Sequence, residues 1–311
     1  MSRLPSFVVL GEGKAGTSLI YRMLERHPDI ALCKPKELHF FSAHFDKGVD
    51  WYASHFADLP NDRMIGEVSP SYLSHKTLPR LASILPQETK LIFVLRRPIE
   101  RLYARYLQNI CARRAGPQFR EVTRKMPARM RRLHEAIGLC YSLFPPENIL
   151  PLFFERDIAG SSSRVAARIF DHLGLSAQKI ASLPDHRINP TVMPHWILTG
   201  DSSMITFMRG RRYVLPRNQL FFCAQPRNAC AIRNPSPEQV RSAFCTMSQW
   251  SRSVPACEYA DLQQAHVLPM ADLLERDFGF DMAHWRIPPT RLLYEPGLPA
   301  ERFQKDAPQN G

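Results

Sequence analysis

The chain has 311 residues, 44% of them hydrophobic, enough to bury a sizeable core and close to the upper size of one α/β domain. Its 41 Lys and Arg against 29 Asp and Glu leave a net charge of +12, which favours polyanionic ligands such as phosphates, sulfated glycans, nucleic acid or a membrane surface. No run of about eighteen apolar residues occurs, which excludes a transmembrane helix within the chain.

The opening MSRLPSFVVLGEG has an apolar run too short for the core of an export signal and leads straight into a strand, so a cytoplasmic protein is expected. The seven cysteines, an odd number with no Cys-x-x-Cys pair and no zinc-like spacing, read as free buried thiols in a reducing compartment. A small loop closed by Cys223 and Cys230 is the alternative.

In chain order, the apolar run at 6–10 predicts a first strand, GEGKAGTS a loop, and Leu19, Ile20, Met23 and Leu24 a helix capped by Thr17 or Ser18 and ended by His27-Pro28. Strands are predicted at 30–33 and 63–68, and most clearly at 90–95, where KLIFVL suits a parallel sheet covered on both faces. Arg96-Arg97-Pro98 then opens a helix whose apolar positions Ile99, Leu102, Tyr103, Tyr106, Leu107 and Ile110 follow the helical period. A strand at 148–154 and a helix at 161–175, stopped by Gly174, complete the alternation that marks an α/β fold. Beyond Pro184 the pattern weakens until a closing helix and turn at 270–285, and 286–311 reads as a loosely held tail after one domain at 1–285.

GEGKAGTS places Gly13, Lys14, Ala15, Gly16, Thr17 and Ser18 where a helix begins, a site at which backbone N–H groups and the helix dipole attract phosphate. Its order differs from the nucleotide-triphosphatase loop, because Lys14 precedes Gly16 instead of following the second glycine and preceding a Ser/Thr. A nucleotide kinase with a degenerate loop therefore stands as one alternative, and a non-catalytic polyanion-binding module as another.

Added segments sharpen the reading. GEGKAGTSLIYRML resembles the 5′-phosphosulfate loop of sulfotransferases that use 3′-phosphoadenylyl sulfate (PAPS), and LRRPIERLYARY resembles their 3′-phosphate segment. KELHFF, KGVDWY and GEVSPSYL are similar to the domains that sulfate heparan sulfate, and the later FPPENILPLFFERD and IFDHLGL match as well. The resemblance implies a P-loop-like three-layer α/β sandwich with a central, mainly parallel sheet, helices on both faces and ligand at the carboxyl ends of the strands. It also implies carbohydrate sulfation: transfer of a sulfuryl group from PAPS to a hydroxyl or amine of a glycan or glycolipid, leaving 3′-phosphoadenosine 5′-phosphate (PAP). No metal is called for, and nucleic acid is not an expected partner.

On this resemblance Lys14 neutralises charge at the leaving phosphate, Glu37 is the general base with His39 its rival, and Arg96 pairs with the 3′-phosphate. An extended segment would turn residues 37 and 39 to the same side, so that one could orient the other. The purely structural role for Arg96 is a salt bridge to Glu100 or a neighbouring loop.

Two positions depart from the pattern. Ala104 stands where the family has a serine, removing a hydroxyl for which Arg97, Arg101 or Arg105 could compensate, and Val68 stands where heparan-type enzymes carry a lysine. The basic segments 120–132 and 209–217 could grip an anionic acceptor or lie solvated, and Trp51, Ser71 and Tyr72 are candidates for an acceptor cleft or for the core.

Overall fold

The computed structural model describes residues 3–111, 119–159, 161–179, 195–198, 204–208, 211–215, 219–223, 231–239 and 256–287. β1 (Phe7–Gly11), β2 (Ile30–Leu32), β3 (Met64–Val68), β4 (Lys90–Leu95) and β5 (Ile149–Phe153) form a wholly parallel sheet in the order β2-β3-β1-β4-β5. The helices of the first half are α1 (Thr17–Glu25), α2 (Phe40–Ala43), α3 (Gly48–Ser54), α4 (Thr77–Ile84) and α5 (Pro98–Cys111). Those that follow are α6 (Phe119–Thr123), α7 (Met126–Leu143), α8 (Ser162–His172), α9 (Ala256–Leu262), α10 (Leu268–Phe278) and α11 (Ala283–Arg286).

Successive strand residues point to opposite faces, so each continuous apolar run serves two cores. Phe7, Val9, Ile92, Val94 and Leu152 face α1 and α8, meeting Leu19, Ile20, Val165 and Ile169. Val8, Leu10, Leu91, Phe93 and Phe153 face the other way, where α4, α5, α7 and α10 bring Leu81, Leu102, Ile137 and Leu274. This is the predicted three-layer sandwich.

The predicted strands and α1, α5 and α8 fall within a few residues of the sequence reading, and the expected closing helix and turn at 270–285 are α10, a turn at Gly279 (φ 67°), and α11; α4 and α7 were not read from the sequence. Beyond Pro184, where no pattern was legible, β6 (His195–Leu198), β9 (Gln219–Cys223) and β10 (Ala231–Arg233) pair antiparallel, and β7 (Met204–Met208) pairs antiparallel with β8 (Arg211–Leu215). Strands this short carry too few residues to establish a period. Residues 288–311, and with them nearly all of the expected tail, lie outside the described residues, as does Cys230. Cys33 and Cys140 are free and buried. Among the described residues no helix is long and apolar enough to cross a membrane.

The closest backbone approach is at Gly11 (φ 131°), which pairs with Val94 across β1 and β4; a Cβ there would stand 2.5 Å from the Val94 carbonyl oxygen. Gly11→Ala must push the two central strands apart, and we expect a loss of about 1–3 kcal/mol or more, read as a lowered urea midpoint at unchanged slope.

At the other end of the chain, α11 buries Trp285 completely and lays His284 against Phe153, ring centroids 5.0 Å apart. Burial, reinforced by the positive charge of Arg156, pushes the His284 imidazole down to about 4. In the unfolded chain it titrates near 6.5, so the unfolded state takes up the proton first as pH falls. The stability contributed by a neutral His284 is fully present above pH 6.5 and lost toward pH 4. His284→Phe should therefore flatten the decline in urea midpoint over that window, measured as the difference between wild type and variant.

Candidate active site

Because all five strands of the sheet run the same way, the loops after β1, β2, β3 and β4 gather at its carboxyl edge. Gly16, not Thr17 or Ser18, is the N-cap of α1: it is left-handed (φ 98°), and no side chain caps the helix, so Thr17 and Ser18 are its first two helical residues. A Cβ at Gly16 would meet Ile158 and Phe154 at 3.1 Å, so only glycine lets the loop lie so close to the segment after β5. The uncapped first turn presents amides that have no intrahelical acceptor, which suits an anion.

Gly13, Lys14 and Ala15 complete the loop, with Ala15 buried and Lys14 held at φ 74°. Arg96, directly after β4, donates from Nη1 to the Lys14 carbonyl at 2.8 Å and stacks over the Phe154 ring at 4.3 Å. Its Nε is buried without a hydrogen-bond partner among the described residues. Desolvation holds this guanidinium below its usual range, a cost that an incoming anion would offset. Of the two structural alternatives, Arg96 makes the contact with a neighbouring loop, through Lys14, while the bridge to Glu100 is made by Arg97, at 2.7 Å with both side chains buried.

The second group lies in the loop after β2. His39 Nε2 is 3.6 Å from Glu37 Oε2, and His39 Nδ1 is hydrogen-bonded to Ser71 Oγ at 2.9 Å. The pair do meet, but not through an extended backbone: Glu37 and His39 are both left-handed, at φ 66° and 55°. Glu37 also bonds Lys36 through its carboxylate and donates its own N–H to the Val68 carbonyl at 3.1 Å. Lys14, Glu37 and His39 are thus three of the four non-glycine residues with positive φ among the described residues, the other being Asn234. Such conformations cost about 1–3 kcal/mol each and persist where the surroundings impose them.

Sequence reasoning missed the buried carboxylates behind these loops. Glu67, fully buried in β3, accepts from Tyr52 and Ser69 at 2.6 Å each and from Tyr72 at 2.7 Å. Burial raises its pKa against the pull of those donors. Glu12 accepts an ion pair from Arg101 at 2.9 Å, and Glu155 receives the Arg97 backbone N–H at 2.9 Å and the Trp285 indole N–H at 3.2 Å. The signal available was a glutamate at or beside a strand end in an otherwise apolar stretch.

Other candidates separate clearly. Tyr72 belongs to the core, Trp51 is half-buried with Lys47 at 4.4 Å over its ring, and Ser71 alone of the three is exposed beside His39. Val68 packs in the core against α1. The segment 120–132 runs through α6 into α7, with Arg124, Lys125, Arg131 and Arg132 exposed. Of 209–217 only the backbone of β8 is described. Among the described residues no cluster of His, Cys, Asp and Glu could hold a metal ion.

The fold is that of a P-loop-like α/β protein whose loops at the carboxyl edge carry Lys14, Glu37, His39 and Arg96. No protein-family model matches the chain. In sequence it is 40% identical over 107 residues to the membrane-associated sulfotransferase kil1 of Dictyostelium discoideum, covering 33% of this chain and 22% of that protein. It is 32% identical over 123 residues to human heparan sulfate glucosamine 3-O-sulfotransferase 3B1, covering 40% of this chain and 31% of that protein. In fold it is similar to a sulfotransferase from Alicyclobacillus acidocaldarius, with a TM-score of 0.57 and 20% identity over 92% of this chain and 100% of the other. The chain thus resembles PAPS-dependent sulfotransferases of the heparan sulfate type, while spanning about a fifth to a third of the curated relatives it matches.

The Glu67 cage generates a prediction of its own. Glu67→Gln keeps the shape but turns one acceptor into a donor facing hydroxyl groups, and should lower stability by about 1–3 kcal/mol in urea denaturation.

Proposed function

We propose that this chain is a sulfotransferase, a single domain over residues 1–285, that moves a sulfuryl group from PAPS to a hydroxyl or amine of a carbohydrate or glycolipid. The observation that carries the reading is the concentration of left-handed backbone at Lys14, Glu37 and His39, on loops at the same sheet edge where α1 begins uncapped. The sequence similarity to named sulfotransferases supports it.

PAPS supplies a sulfuryl group already bonded to a phosphate leaving group. Gly13 to Ser18 bind the 5′-phosphosulfate with backbone amides, and Lys14 offsets the negative charge that grows on the bridging oxygen as its bond to sulfur breaks. Glu37 takes the proton of the acceptor as its oxygen or nitrogen bonds to sulfur, and His39, fixed by Ser71, orients the Glu37 carboxylate. Arg96 pairs with the 3′-phosphate, for which its planar guanidinium is suited. The buried, unpaired thiols of Cys33 and Cys140 support a cytoplasmic setting.

Sulfation of a heparan-type oligosaccharide with PAPS, followed by release of PAP, tests the assignment of the base. Glu37→Gln should lower kcat by about 10²- to 10⁴-fold with PAP binding unchanged. Retained turnover in Glu37→Gln, together with its loss in His39→Ala, would transfer the role of base to His39.

A further inference from the structure

The imidazole of His39 stands between two hydroxyl groups on one side and a carboxylate on the other, and these neighbours decide where its hydrogen lies. Nδ1 is 2.9 Å from Ser71 Oγ, Ser71 Oγ is 3.0 Å from Ser42 Oγ, and Ser42 Oγ donates to the His39 carbonyl at 3.2 Å. The chain of contacts closes on the residue from which it starts, because His39 is the N-cap of α2 and Ser42 belongs to the turn that follows. On the far side of the ring, Nε2 faces Glu37 Oε2 at 3.6 Å.

A hydroxyl has one hydrogen to give. Ser42 gives its own to the His39 carbonyl, so between the two serines it is the acceptor and Ser71 the donor. Ser71 then offers only lone pairs to Nδ1, and the neutral imidazole carries its hydrogen there. The distance at the other nitrogen agrees: 3.6 Å is too long for an N–H donating to a carboxylate, which leaves Nε2 with its lone pair toward Glu37. Lys36 holds Glu37 Oε1, so Oε2 is the carboxylate oxygen turned to the imidazole.

We propose that Ser42 and Ser71 are positioning residues that fix His39 as the Nδ1–H tautomer, so that its Nε2 lone pair is available to the proton that Glu37 takes from the acceptor. The inference rests on the sulfotransferase reading with Glu37 as base. As the acceptor oxygen or nitrogen bonds to sulfur, the bond from sulfur to the bridging phosphate oxygen breaks and PAP departs with the electron pair. The acceptor's proton passes to Oε2, and the new carboxyl O–H donates to Nε2. The opposite tautomer would turn an N–H toward Glu37, favouring the carboxylate that has to be protonated and offering no lone pair to the carboxyl that forms.

The test is a proton–nitrogen correlation spectrum of the full chain, isotope-labelled in its histidines, at about pH 9, above the ordinary imidazole range, joined to sulfation kinetics with PAPS and a heparan-type oligosaccharide. Wild type should show His39 as the Nδ1–H tautomer, its signals assigned by their loss in His39→Ala. Ser71→Ala and Ser42→Ala should each move population toward Nε2–H and lower kcat roughly 3- to 10-fold, the worth of one neutral hydrogen bond, with KM and PAP binding unchanged. Ser71→Thr, which keeps the hydroxyl, should restore both tautomer and rate. An Nε2–H tautomer in wild type overturns the inference, as does a tautomer unchanged in both alanine variants. A wild-type chain that binds no PAP overturns the sulfotransferase reading itself, an outcome kept separate because the tautomer is read without turnover.

Discussion

Glu67 accepts three hydroxyl donors at full burial, and the carboxyl edge of the sheet is organised around carboxylates placed in this way. Removed from water, a carboxylate must be supplied with donors; Glu67 draws two of its three from the turn just after β3 and the third from α3, while Glu12 and Glu155 draw theirs from segments distant in sequence. Glu67 ties α3 and the turn after β3 together through Tyr52 and Tyr72. Glu12 fastens the phosphate loop to α5 through Arg101, and Glu155 fastens the start of α5 to α11 through the Arg97 amide and Trp285. Burial raises the pKa of all three, which is the physical mark of groups whose position is set by packing.

That framework lets the exposed chemistry be strained. Left-handed backbone at Lys14, Glu37 and His39 is unfavourable locally, and the bonds from Arg96 to the Lys14 carbonyl, from the Glu37 amide to the Val68 carbonyl and from Ser71 to His39 hold it in place. A chain of net charge +12 thereby places cations at the loop mouth on α5 and on the segment after β4. Preorganised positive charge of this kind is what a reaction with a departing phosphate requires.

Much of the fold was legible because it depends on local pattern. KLIFVL could only be a strand covered on both faces, and the spacing from Ile99 to Tyr106 fixed the face that α5 buries. The loop GEGKAGTS was legible as an anion site, but its cap was misassigned: Thr17 and Ser18 are good capping residues, yet Gly16 alone tolerates both φ 98° and the contact with Ile158 and Phe154. The meeting of Glu37 with His39 was anticipated for the wrong geometric reason, since neither residue type announces a left-handed conformation. The partners of Glu67 and Glu155 were not legible, because Tyr52 and Trp285 lie 15 and 130 residues from the carboxylates they meet and no local spacing marks the nearer Tyr72 as a donor.

The account depends most on a metal-independent nucleotide site between the phosphate loop and Arg96. Calorimetric titration with PAP, first without magnesium and then with it, measures that site directly in wild type, Lys14→Ala and Arg96→Ala. The account predicts binding without magnesium, weakened in both variants. No binding of PAP, or a preference for ATP with magnesium, would contradict it.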